Sequence, residues 1–377
     1  MAGNLTKRPN GRWRARFRDA AGKEHARHFD RKVDARRWLD EVTTAVVTGQ
    51  YVDPNAGRVT FREAGESWRL AQVHRPSTVR HVETMLRRHA YPTFGERPLS
   101  TIRPSEVQAW VTRLAQGDAE RKPLAPATIA VVHSLVASVM KAAVRDRLVA
   151  SNPCEGVKLP KRESKRVVPL TTEQVETIAA AVPPSLRALV VLAAGTGLRQ
   201  GEAFGLTRDR VNFLRREVTI DRQLVGVDGG SPVFGPPKTS ASNRVVPLPA
   251  VVIDALAAHV AAYDVPAEGL LFTVDDGAPI TRQRFGHLWR PVAREAGLPV
   301  GTGLHALRHY YASLLIRYGE SVKTVQARLG HASAAETLDT YSHLWPDSDD
   351  RTREAVDSVL GAAGTSSTDT ESAARAD

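Results

Sequence analysis

Residues 304–311 read "LHALRHYY", and the chemistry of this short stretch allows three interpretations. His305 and His309 are four residues apart, which on a helix would let both side chains bind one metal ion. His305 and Arg308 are three apart and could instead grip an anion such as a phosphate. Either of the two tyrosines that end the stretch could also be a nucleophile. Each interpretation implies a different protein, so the rest of the chain has to decide between them.

A helical projection of this stretch separates core residues from functional ones. At about 100° per residue, one face collects apolar and aromatic side chains that we expect to pack in the core. These are Leu307, Tyr311, Leu314, Leu315 and Tyr318. Tyr311 lies in the middle of that face and is interpreted as packing, whereas Tyr310 flanks it and stays unassigned. His305, Arg308 and His309 share the opposite face, which is compatible with both a metal and an anion.

The metal interpretation is the weaker of these two. In the zinc motif H-E-x-x-H, a glutamate follows the first histidine and acts as general base. Here that position is Ala306. Arg308 would also lie beside the divalent cation, which is electrostatically adverse, and a guanidinium group is not a zinc ligand. The sequence therefore predicts no metal site. With one cysteine in the chain, Cys154, it also predicts no disulfide framework.

Two stretches upstream contain further charged residues of interest. "TGLRQGE" (196–202) places Arg199 after a glycine and Glu202 about one helical turn later. Taken alone, this pattern is usually a surface ion pair. "PPKTSASNR" (236–244) lies between two predicted strands and places Lys238 in what resembles a hairpin tip. Most lysines in such a position are simply solvated.

The fourth stretch is "ARLGHASAAETLDTYSHLWP", residues 327–346. A helix over 322–329 is predicted to end at the glycine that precedes His331, which fixes that histidine at a helix end. The pattern S-x-x-E at 333–336 is a capping box that opens the next helix. Tyr341 lies on this second helix. Considered alone, it would more often be a core residue than a nucleophile.

Together, the four stretches present an arginine, a lysine, a His-x-x-Arg pair, a Leu-Gly-His turn and a tyrosine, in that order. This pattern resembles the tyrosine recombinases, and specifically the phage-type integrases, over roughly residues 60–345. The resemblance is specific because six separated residues must coincide. It implies six catalytic residues: Arg199, Lys238, His305, Arg308, His331 and Tyr341.

The resemblance implies how DNA strands would be cut and rejoined. Tyr341 would be the nucleophile that forms a 3′-phosphotyrosyl bond. Lys238 would be the general acid for the 5′-hydroxyl leaving group, and His305 would assist proton transfer to or from Tyr341. A phenol with a pKa near 10 needs a base or a strongly positive site before it attacks. Since the covalent bond keeps the energy of the broken backbone, religation would need no ATP.

The remaining matched residues would act on the phosphate. Arg199 and Arg308 would bind its non-bridging oxygens, where two bidentate guanidinium groups can meet the developing charge without a metal ion. His331 would donate a hydrogen bond to the phosphate, and Glu202 is expected to orient its neighbours. The sequence departs from the family at Ala306, where an aspartate is common, which puts one supporting contact in doubt. The ten-residue step from His331 to Tyr341 resembles phage integrases.

The family resemblance also implies partners. The expected substrate is a pair of double-stranded DNA attachment sites, joined by four protomers for integration or excision of a mobile element. An excisionase and a host DNA-bending protein are further expected partners, and no cofactor is expected. Two alternatives are a non-catalytic DNA-binding protein, which has no need of six aligned residues, and a type IB topoisomerase, which uses similar chemistry without strand exchange.

Composition is consistent with a nucleic-acid partner. The 377 residues include 52 Lys and Arg against 41 Asp and Glu, which gives a net charge of +11. Such an excess favours binding to a polyanion, although a solvated basic surface would give the same number. The chain shows no signal-peptide pattern at its start and no run of 18 apolar residues. We therefore expect a cytoplasmic protein of the bacterial host cell, associated with the nucleoid when active.

The expected fold is mainly α with small β-sheets, in three domains. Residues 1–57 should form a β-sheet and helix module that binds arm-type DNA, and residues 58–157 a helical core-binding domain. A basic linker at 158–168 should lead to a mixed α/β catalytic domain at 169–361. Residues 362–377 should be a disordered tail, because they are small, polar and of mixed charge.

Two basic clusters are the candidate DNA contacts outside the catalytic residues. "GRWRARFR" (11–18) alternates strictly, so a strand would present four arginines on one face and Trp13, Ala15 and Phe17 on the other. A helix over 31–48 should cover the apolar face with Val33, Trp38 and Val42. The four arginines are Arg12, Arg14, Arg16 and Arg18. The linker cluster consists of Lys158, Lys161, Arg162, Lys165 and Arg166.

Overall fold

The structure is a computed structural model that describes residues 3–19, 22–48, 51, 53, 56–119, 121–162, 166–274, 277–345 and 349–365. Residues 1–164 and 165–377 form two compact units. Helices predominate among the described residues, and three small antiparallel sheets accompany them. The predicted fold class is confirmed.

The first unit begins with a three-stranded antiparallel sheet covered by one helix. The strands are β1 (Asn4–Lys7), β2 (Trp13–Arg18) and β3 (Glu24–Phe29), and the helix is α1 (Lys32–Val47). Ala15 and Phe17 of β2 are buried in one cluster with Ala35 and Leu39 of α1. The alternation predicted for β2 is thereby confirmed, with its apolar face towards the helix.

Two details of this module differ from the prediction. Strand β1 pairs with β2. It was not predicted, because its four residues are too few for a periodic signal. Val33 is 66% exposed and does not face the sheet. Ala35 takes that face instead, because two helical residues change direction by about 200°. Trp38 and Val42 pack against the cluster as predicted.

The rest of the first unit is helical. Its helices are α2 (Phe61–Leu70), α3 (Pro76–Met85), α4 (Tyr91–Phe94), α5 (Pro104–Gln116) and α6 (Pro126–Arg145). A π-helical turn over Leu86–Ala90 joins α3 to α4. Phe61, Phe94 and Trp110 form the aromatic centre of its core. A capping box between Thr60 and Glu63 starts α2, so this part begins where the sequence signals place it.

Helix α6 would qualify by length and composition as a membrane span, and in the described part of the chain no other helix does. A single helix of this kind is weak evidence for a membrane. Val132, Val136 and Met140 of α6 are almost completely buried in the core of the unit. Core packing is therefore a sufficient reason for its apolar character.

The second unit surrounds a central, nearly apolar helix, α8 (Pro184–Thr196), which follows α7 (Thr172–Ala181). Its further helices are α9 (Gln200–Phe204), α10 (Ala250–Tyr263), α11 (Arg282–Glu295), α12 (His305–Arg317), α13 (Val322–Leu329), α14 (Ala334–Tyr341) and α15 (Asp349–Thr365). Strands β4 (Val211–Asn212), β5 (Glu217–Ile220) and β8 (Arg244–Pro247) form one antiparallel sheet, and β6 (Gln223–Asp228) pairs with β7 (Ser231–Gly235).

The strand region corrects two expectations. The pattern of residues 218–226, the first of the two predicted strands, indicates one continuous strand, but the chain leaves the first sheet after Ile220 and starts the separate β6–β7 hairpin at Gln223. The tip of that hairpin is at Gly229 and Gly230, both with positive φ. Lys238 is therefore not at a hairpin tip. It lies in the loop after β7, where sequence spacing alone could not distinguish one turn from the next.

The C-terminal helices follow the predicted signals closely. Helix α13 ends at Gly330 in the left-handed conformation, and the Ser333 side chain caps α14. Tyr318 is 83% exposed, against the expectation that it belongs to the core face of α12, because the helix ends at Arg317. Helix α15 extends four residues beyond the predicted end of the catalytic domain at 361, into the predicted tail. Residues 366–377 lie outside the described residues.

Candidate active site

Arg199 is held at the start of α9 by contacts from three parts of the second unit. Its backbone N–H donates to Glu202 (2.9 Å), and its Nη1 donates to Glu202 (3.1 Å) and to the hydroxyl of Ser242 (3.0 Å). Its Nη2 donates to the carbonyl oxygen of Gly330 (2.9 Å). The side chain keeps about a fifth of its surface exposed. The pattern that resembles a surface ion pair in the sequence is thus a fixed, mostly covered guanidinium group in the structure.

Glu202 is the anchor for two arginines. It is only 2% exposed, and Arg244 of β8 donates to both its carboxylate oxygens, at 2.9 and 3.3 Å. Burial raises the pKa of the Glu202 carboxyl, but hydrogen bonds and charges from Arg244 and Arg199 outweigh it and leave that pKa below its usual value. Glu202 is therefore an ionised carboxylate whose charge is paired with Arg244 and Arg199 inside the protein.

Arg244 is a further residue of the site that is not among the residues predicted from the sequence. Arg244 also donates to the carbonyl oxygen of Arg328 (2.8 Å), so it ties β8 to the end of α13. A signal for it exists in β8, where Arg244 shares the inward phase with the buried Val246. A charged residue in the buried phase of a strand requires a buried partner.

Arg308 is the most deeply buried charged side chain of the site, at 1% exposure. Its Nη1 donates to the carbonyl oxygen of Gly197 and its Nη2 to that of Leu329, both at 2.7 Å. Burial and the nearby charge of Arg199 lower the pKa of Arg308 to about 9. Most residues of α12 are buried or half-buried, and Arg308 is buried with them.

The two arginines meet at one turn. Arg199 binds the carbonyl of Gly330 and Arg308 binds that of Leu329, so consecutive peptide groups hold the two guanidinium groups side by side. Gly330 has a φ of 65°, a left-handed conformation that other residues rarely adopt, and a Cβ at this position would lie only 3.0–3.1 Å from Arg244, Ala241 and Ser242. The arrangement concentrates positive charge next to α14.

His331 follows directly and is buried. Its Nδ1 is 2.8 Å from the hydroxyl of Thr337, and its Nε2 lies 3.8 Å from the Glu336 carboxylate. Burial and the charge of Arg308 lower the pKa of His331 to about 4. Its ring is parallel to that of Tyr341 at 6.5 Å between centroids. A neutral ring that accepts from Thr337 keeps its Nε2–H to donate elsewhere.

Tyr341, at the end of α14, is 1% exposed. Its hydroxyl is 2.8 Å from Nδ1 of His309. Burial raises the pKa of Tyr341 to about 12, and the charge of Arg308 offsets part of this effect. Tyr311 packs in the same cluster, which confirms its assignment to the core, and Tyr310 contacts the hydroxyl of Thr172 at 3.2 Å.

His305 starts α12 next to His309, with 4.7 Å between ring centroids in an edge-to-face arrangement. Protein atoms packed around it, and the charges of His309 and Arg308, lower the pKa of His305 to about 4, although part of the residue is exposed. Lys238 is exposed, and its ammonium group has no hydrogen-bond or ion-pair partner among the described residues. The neighbouring Thr239 bonds to Ser242, which links the lysine loop to Arg199.

The structure thus brings Arg199, Glu202, Arg308, His331 and Tyr341 into one connected network. His305 lies at its border through His309, and Lys238 lies outside it on a loop. Within the described ranges, no group of three or more His, Cys, Asp or Glu side chains is arranged to hold a metal ion.

The predicted arginine face of β2 contacts acidic side chains of the same module. Glu24 of β3 lies 3.6–3.8 Å from Arg14, Arg16 and Arg18, and Arg12 pairs with Asp30 at 2.9 Å. These partly exposed pairs are weak and screened by salt. One carboxylate against three guanidinium groups still leaves the face positive.

The basic linker residues are described in part. Four of them are exposed, and Gln108 binds the backbone of the first at 2.8 and 3.1 Å. These four are Lys158, Lys161, Arg162 and Arg166. Lys165 lies outside the described residues.

Three family models match separate parts of the chain. A model described as "Phage integrase family" matches residues 169–347, one described as "Phage integrase, N-terminal domain" matches residues 1–48, and one described as "Phage integrase, N-terminal SAM-like domain" matches residues 60–115. The third match lies in the helical part of the first unit, and the first contains every residue of the network described above.

Two relatives illustrate the similarity in sequence. The putative prophage phiRv2 integrase of Mycobacterium tuberculosis is 30% identical over 358 residues, which cover 90% of this chain and 91% of the relative. A tyrosine recombinase XerC-like protein of Caldanaerobacter subterraneus is 29% identical over 276 residues, which cover 66% of this chain and 69% of the relative.

Two solved structures share the fold. The Tn1549 transposon integrase in complex with a circular intermediate DNA has a TM-score of 0.67 at 22% identity and covers 80% of this chain and 99% of its own. A lambda integrase tetramer bound to a Holliday junction has a TM-score of 0.56 at 18% identity, with 89% and 97% covered. At these identities the likeness concerns the fold.

Proposed function

The chain belongs to the phage integrase family of tyrosine recombinases and is a site-specific DNA recombinase, and we propose which of its residues cleave and rejoin DNA. The enzyme works through a 3′-phosphotyrosyl intermediate during integration or excision of a mobile element. The six residues proposed as catalytic are Arg199, Lys238, His305, Arg308, His331 and Tyr341.

One observation supports this assignment above the others. Arg199 and Arg308 bind the carbonyls of Gly330 and Leu329, next to the α14 helix that carries Tyr341. Arg308 uses two of its N–H groups to bind carbonyl oxygens. A guanidinium group has five N–H donors, so donors remain for a phosphate. A scissile phosphate held there receives two cations close to a phenol hydroxyl.

The proposed reaction follows from these positions. The Tyr341 hydroxyl loses its proton and forms a bond to phosphorus, and the bond from phosphorus to the 5′ oxygen breaks. Lys238 gives a proton to the leaving 5′ oxygen, and His305 assists proton transfer at the tyrosine. The loop that carries Lys238 is held near Arg199 through Thr239 and Ser242. Its exposed position is suited to a residue that contacts DNA.

The buried environment of Tyr341 raises its pKa, so neighbouring groups have to assist its attack on the phosphate. With a pKa of about 12, roughly one Tyr341 in 10⁵ is ionised at pH 7, which corresponds to about 7 kcal/mol. Two guanidinium groups at the phosphate lower the barrier by stabilising charge that develops on the non-bridging oxygens. His331 adds a neutral hydrogen-bond donor to the phosphate, and Glu202 acts indirectly by holding Arg199 in place.

The wider organisation is also part of the proposal. Residues 1–57 bind arm-type DNA through Arg12, Arg14, Arg16 and Arg18. Residues 58–157 bind the core site, the basic linker 158–168 follows the duplex backbone, and residues 169–361 are the catalytic domain, with 362–377 as a tail. Helix α15 packs on a neighbouring protomer, since its Val356, Val359 and Leu360 are half or more exposed.

On DNA the protein acts as a homotetramer that joins two attachment sites inside the bacterial host cell. The solved tetramer of lambda integrase on a Holliday junction shares the fold and supports this proposal. An excisionase and a host DNA-bending protein are proposed as accessory partners that set the direction of the reaction. The large positive charge of the chain supports binding to the DNA backbone.

A nicked suicide substrate tests the nucleophile. Cleavage next to the nick releases a short strand, so the covalent protein–DNA adduct cannot reverse and is visible on a denaturing gel. Wild type should form the adduct and Tyr341→Phe should not, whereas Tyr310→Phe should behave as wild type. An adduct that survives Tyr341→Phe would refute the assignment. Strand exchange between two separate sites distinguishes a recombinase from a type IB topoisomerase, and the absence of any wild-type adduct would favour a DNA-binding protein without catalysis.

A further inference from the structure

The residue that touches the Tyr341 hydroxyl is not one of the six proposed catalytic residues. Nδ1 of His309 lies 2.8 Å from Tyr341 Oη, which is hydrogen-bond distance. The rings are tilted at 64° with 5.6 Å between centroids, so the contact is made through these atoms and not by stacking. Among the described residues, no hydrogen bond joins His305 to Tyr341.

We propose that His309 is a further catalytic residue, which orients the Tyr341 phenol and accepts its proton as the phenol attacks the phosphate. This proposal rests on the assignment of Tyr341 as nucleophile. It moves the first proton transfer from His305 to the next histidine on the same face of α12.

The contact has a defined direction. A phenol in contact with one imidazole nitrogen donates to it if that nitrogen carries no hydrogen. The neutral tautomer with hydrogen on Nε2 presents Nδ1 as the acceptor. Burial, and then the charge of Arg308, lower the pKa of His309, which favours this neutral form. His309 is therefore ready to accept a proton before DNA binds.

The surroundings of His309 are consistent with this role. On its own helix it is faced by His305 and Arg308, and from α14 by Tyr341. The His331 ring is stacked with the Tyr341 ring at 6.5 Å between centroids. Arg308 lies close enough for its charge to affect the pKa values of both members of the pair. Once the proton has moved to His309, the phenolate is next to cations on the side of the phosphate.

The step balances in both directions. The proton leaves Tyr341 Oη for Nδ1 of His309, the new bond joins Oη to phosphorus, and the departing 5′ oxygen takes a proton from Lys238. In religation the 5′-hydroxyl returns its proton to Lys238 and attacks phosphorus. The imidazolium of His309 then gives its proton back to the leaving phenolate. The exposed His305, one turn earlier, is left free to contact the DNA phosphate.

The test uses single-turnover adduct formation on the nicked suicide substrate with the full chain. The variant is His309→Gln, which keeps an acceptor oxygen but cannot take up a proton. We expect the rate to fall about 100-fold, within the usual range for loss of a general base. The matched control is His287→Gln, an exposed histidine on α11, which should keep the wild-type rate. Thermal unfolding of each variant checks that it is folded.

A second measurement separates proton transfer from a structural effect. Replacing Tyr341 with a fluorinated tyrosine makes the phenol more acidic and should restore at least tenfold of the rate lost in His309→Gln. A substrate with sulfur in place of the 5′ bridging oxygen, whose leaving group needs no proton, should rescue Lys238→Ala but not His309→Gln. Even if His309→Gln does not fold, fluorination in the wild-type background should move the pH–rate profile to lower pH.

The possible outcomes distinguish failure of the Tyr341 assignment from failure of the proposed role of His309. If wild type forms no adduct, or if Tyr341→Phe still forms one, the nucleophile assignment fails and the role of His309 fails with it. If the Tyr341-dependent adduct forms but His309→Gln reacts within threefold of wild type, only the inference about His309 is refuted. It is also refuted if fluorination leaves the slow rate of His309→Gln, or the pH–rate profile of the wild type, unchanged.

Discussion

The buried carboxylate of Glu202 offers a sharp test of how the site is held together. Glu202→Gln keeps the size of the side chain and removes its charge. Glu202 is 2% exposed and contacts Arg244 at 2.9 Å and Arg199 at 3.1 Å. Without it, Arg199, Arg244 and Arg308 remain close together with no buried anion among them. Removing one partner of a buried ion pair typically costs about 3–5 kcal/mol.

The lower end of that range applies here, because glutamine can still accept a hydrogen bond and Arg199 is partly exposed. We expect a loss of about 3 kcal/mol in the free energy of unfolding of the second unit. For a unit of this size, that is roughly 6–12 °C in melting temperature. Adduct formation should slow as well, since Arg199 loses the partner that fixes both its backbone N–H and its Nη1.

The assay is thermal unfolding monitored by near-UV circular dichroism, for wild type, Glu202→Gln, Arg244→Gln and the double variant. Because both side chains belong to one pair, the double variant should lose less stability than the sum of the single variants. Glu106→Gln, a partly exposed carboxylate of the first unit, is the matched control and should change stability by less than about 1 kcal/mol.

The pH dependence of this effect has a defined sign. The pKa of Glu202 is lowered in the folded protein from an ordinary value of 4.5. Its contribution is therefore fully present above pH 4.5 and is lost as the pH falls through the lower folded-state pKa. The difference between wild type and Glu202→Gln should be constant near neutrality and shrink in acid. A Glu202→Gln protein within 0.5 °C of wild type at pH 7 would refute the reasoning.

Three further predictions follow from the site and the domain organisation. Arg308→Lys keeps the charge but loses one of the two hydrogen bonds to carbonyls and the planar fork, so adduct formation should fall at least 100-fold. DNA binding in a gel-shift assay should change by less than tenfold. Equal losses in both assays would contradict this prediction. Deletion of residues 1–57 should leave cleavage of a core site intact and impair integration between attachment sites; full integration by the shortened protein would show that the module does not bind arm DNA. Addition of EDTA should leave adduct formation unchanged, and strong inhibition would revive a metal-dependent mechanism.

Local features of the protein were predictable because short-range geometry determines them. The glycine at 330 ends α13, and the serine at 333 caps α14, through contacts within a few residues. The alternation of β2 has a period of two, and α12 follows the helical period, so both could be read directly from the residues. The predictions that Val33 and Tyr318 are buried were wrong because each residue lies at a helix end, where the helical period no longer determines which side is covered.

Family membership could also be predicted from the sequence. Arginines, histidines, a lysine and a tyrosine at fixed separations resemble the tyrosine recombinases, and the family comparisons confirm that membership. Tertiary structure decided how these residues meet. Arg199 and Gly330 are 131 positions apart, and Arg308 and Gly197 are 111 apart, so no local pattern contains these bonds. Packing of α12 between α8 and α13 creates them.

The same reason explains why Arg244 and the contact of His309 could not be predicted from the sequence. Arg244 is one of 52 basic residues and becomes distinctive only because folding buries it against Glu202, 42 positions away. In the sequence, His309 is only a neighbour of the His-x-x-Arg motif. In the structure, α14 places the Tyr341 hydroxyl at its Nδ1. A sequence specifies which groups are present and their local direction. Which of them share a buried, low-dielectric site, and therefore which pKa values shift, depends on distances that only the packed chain defines.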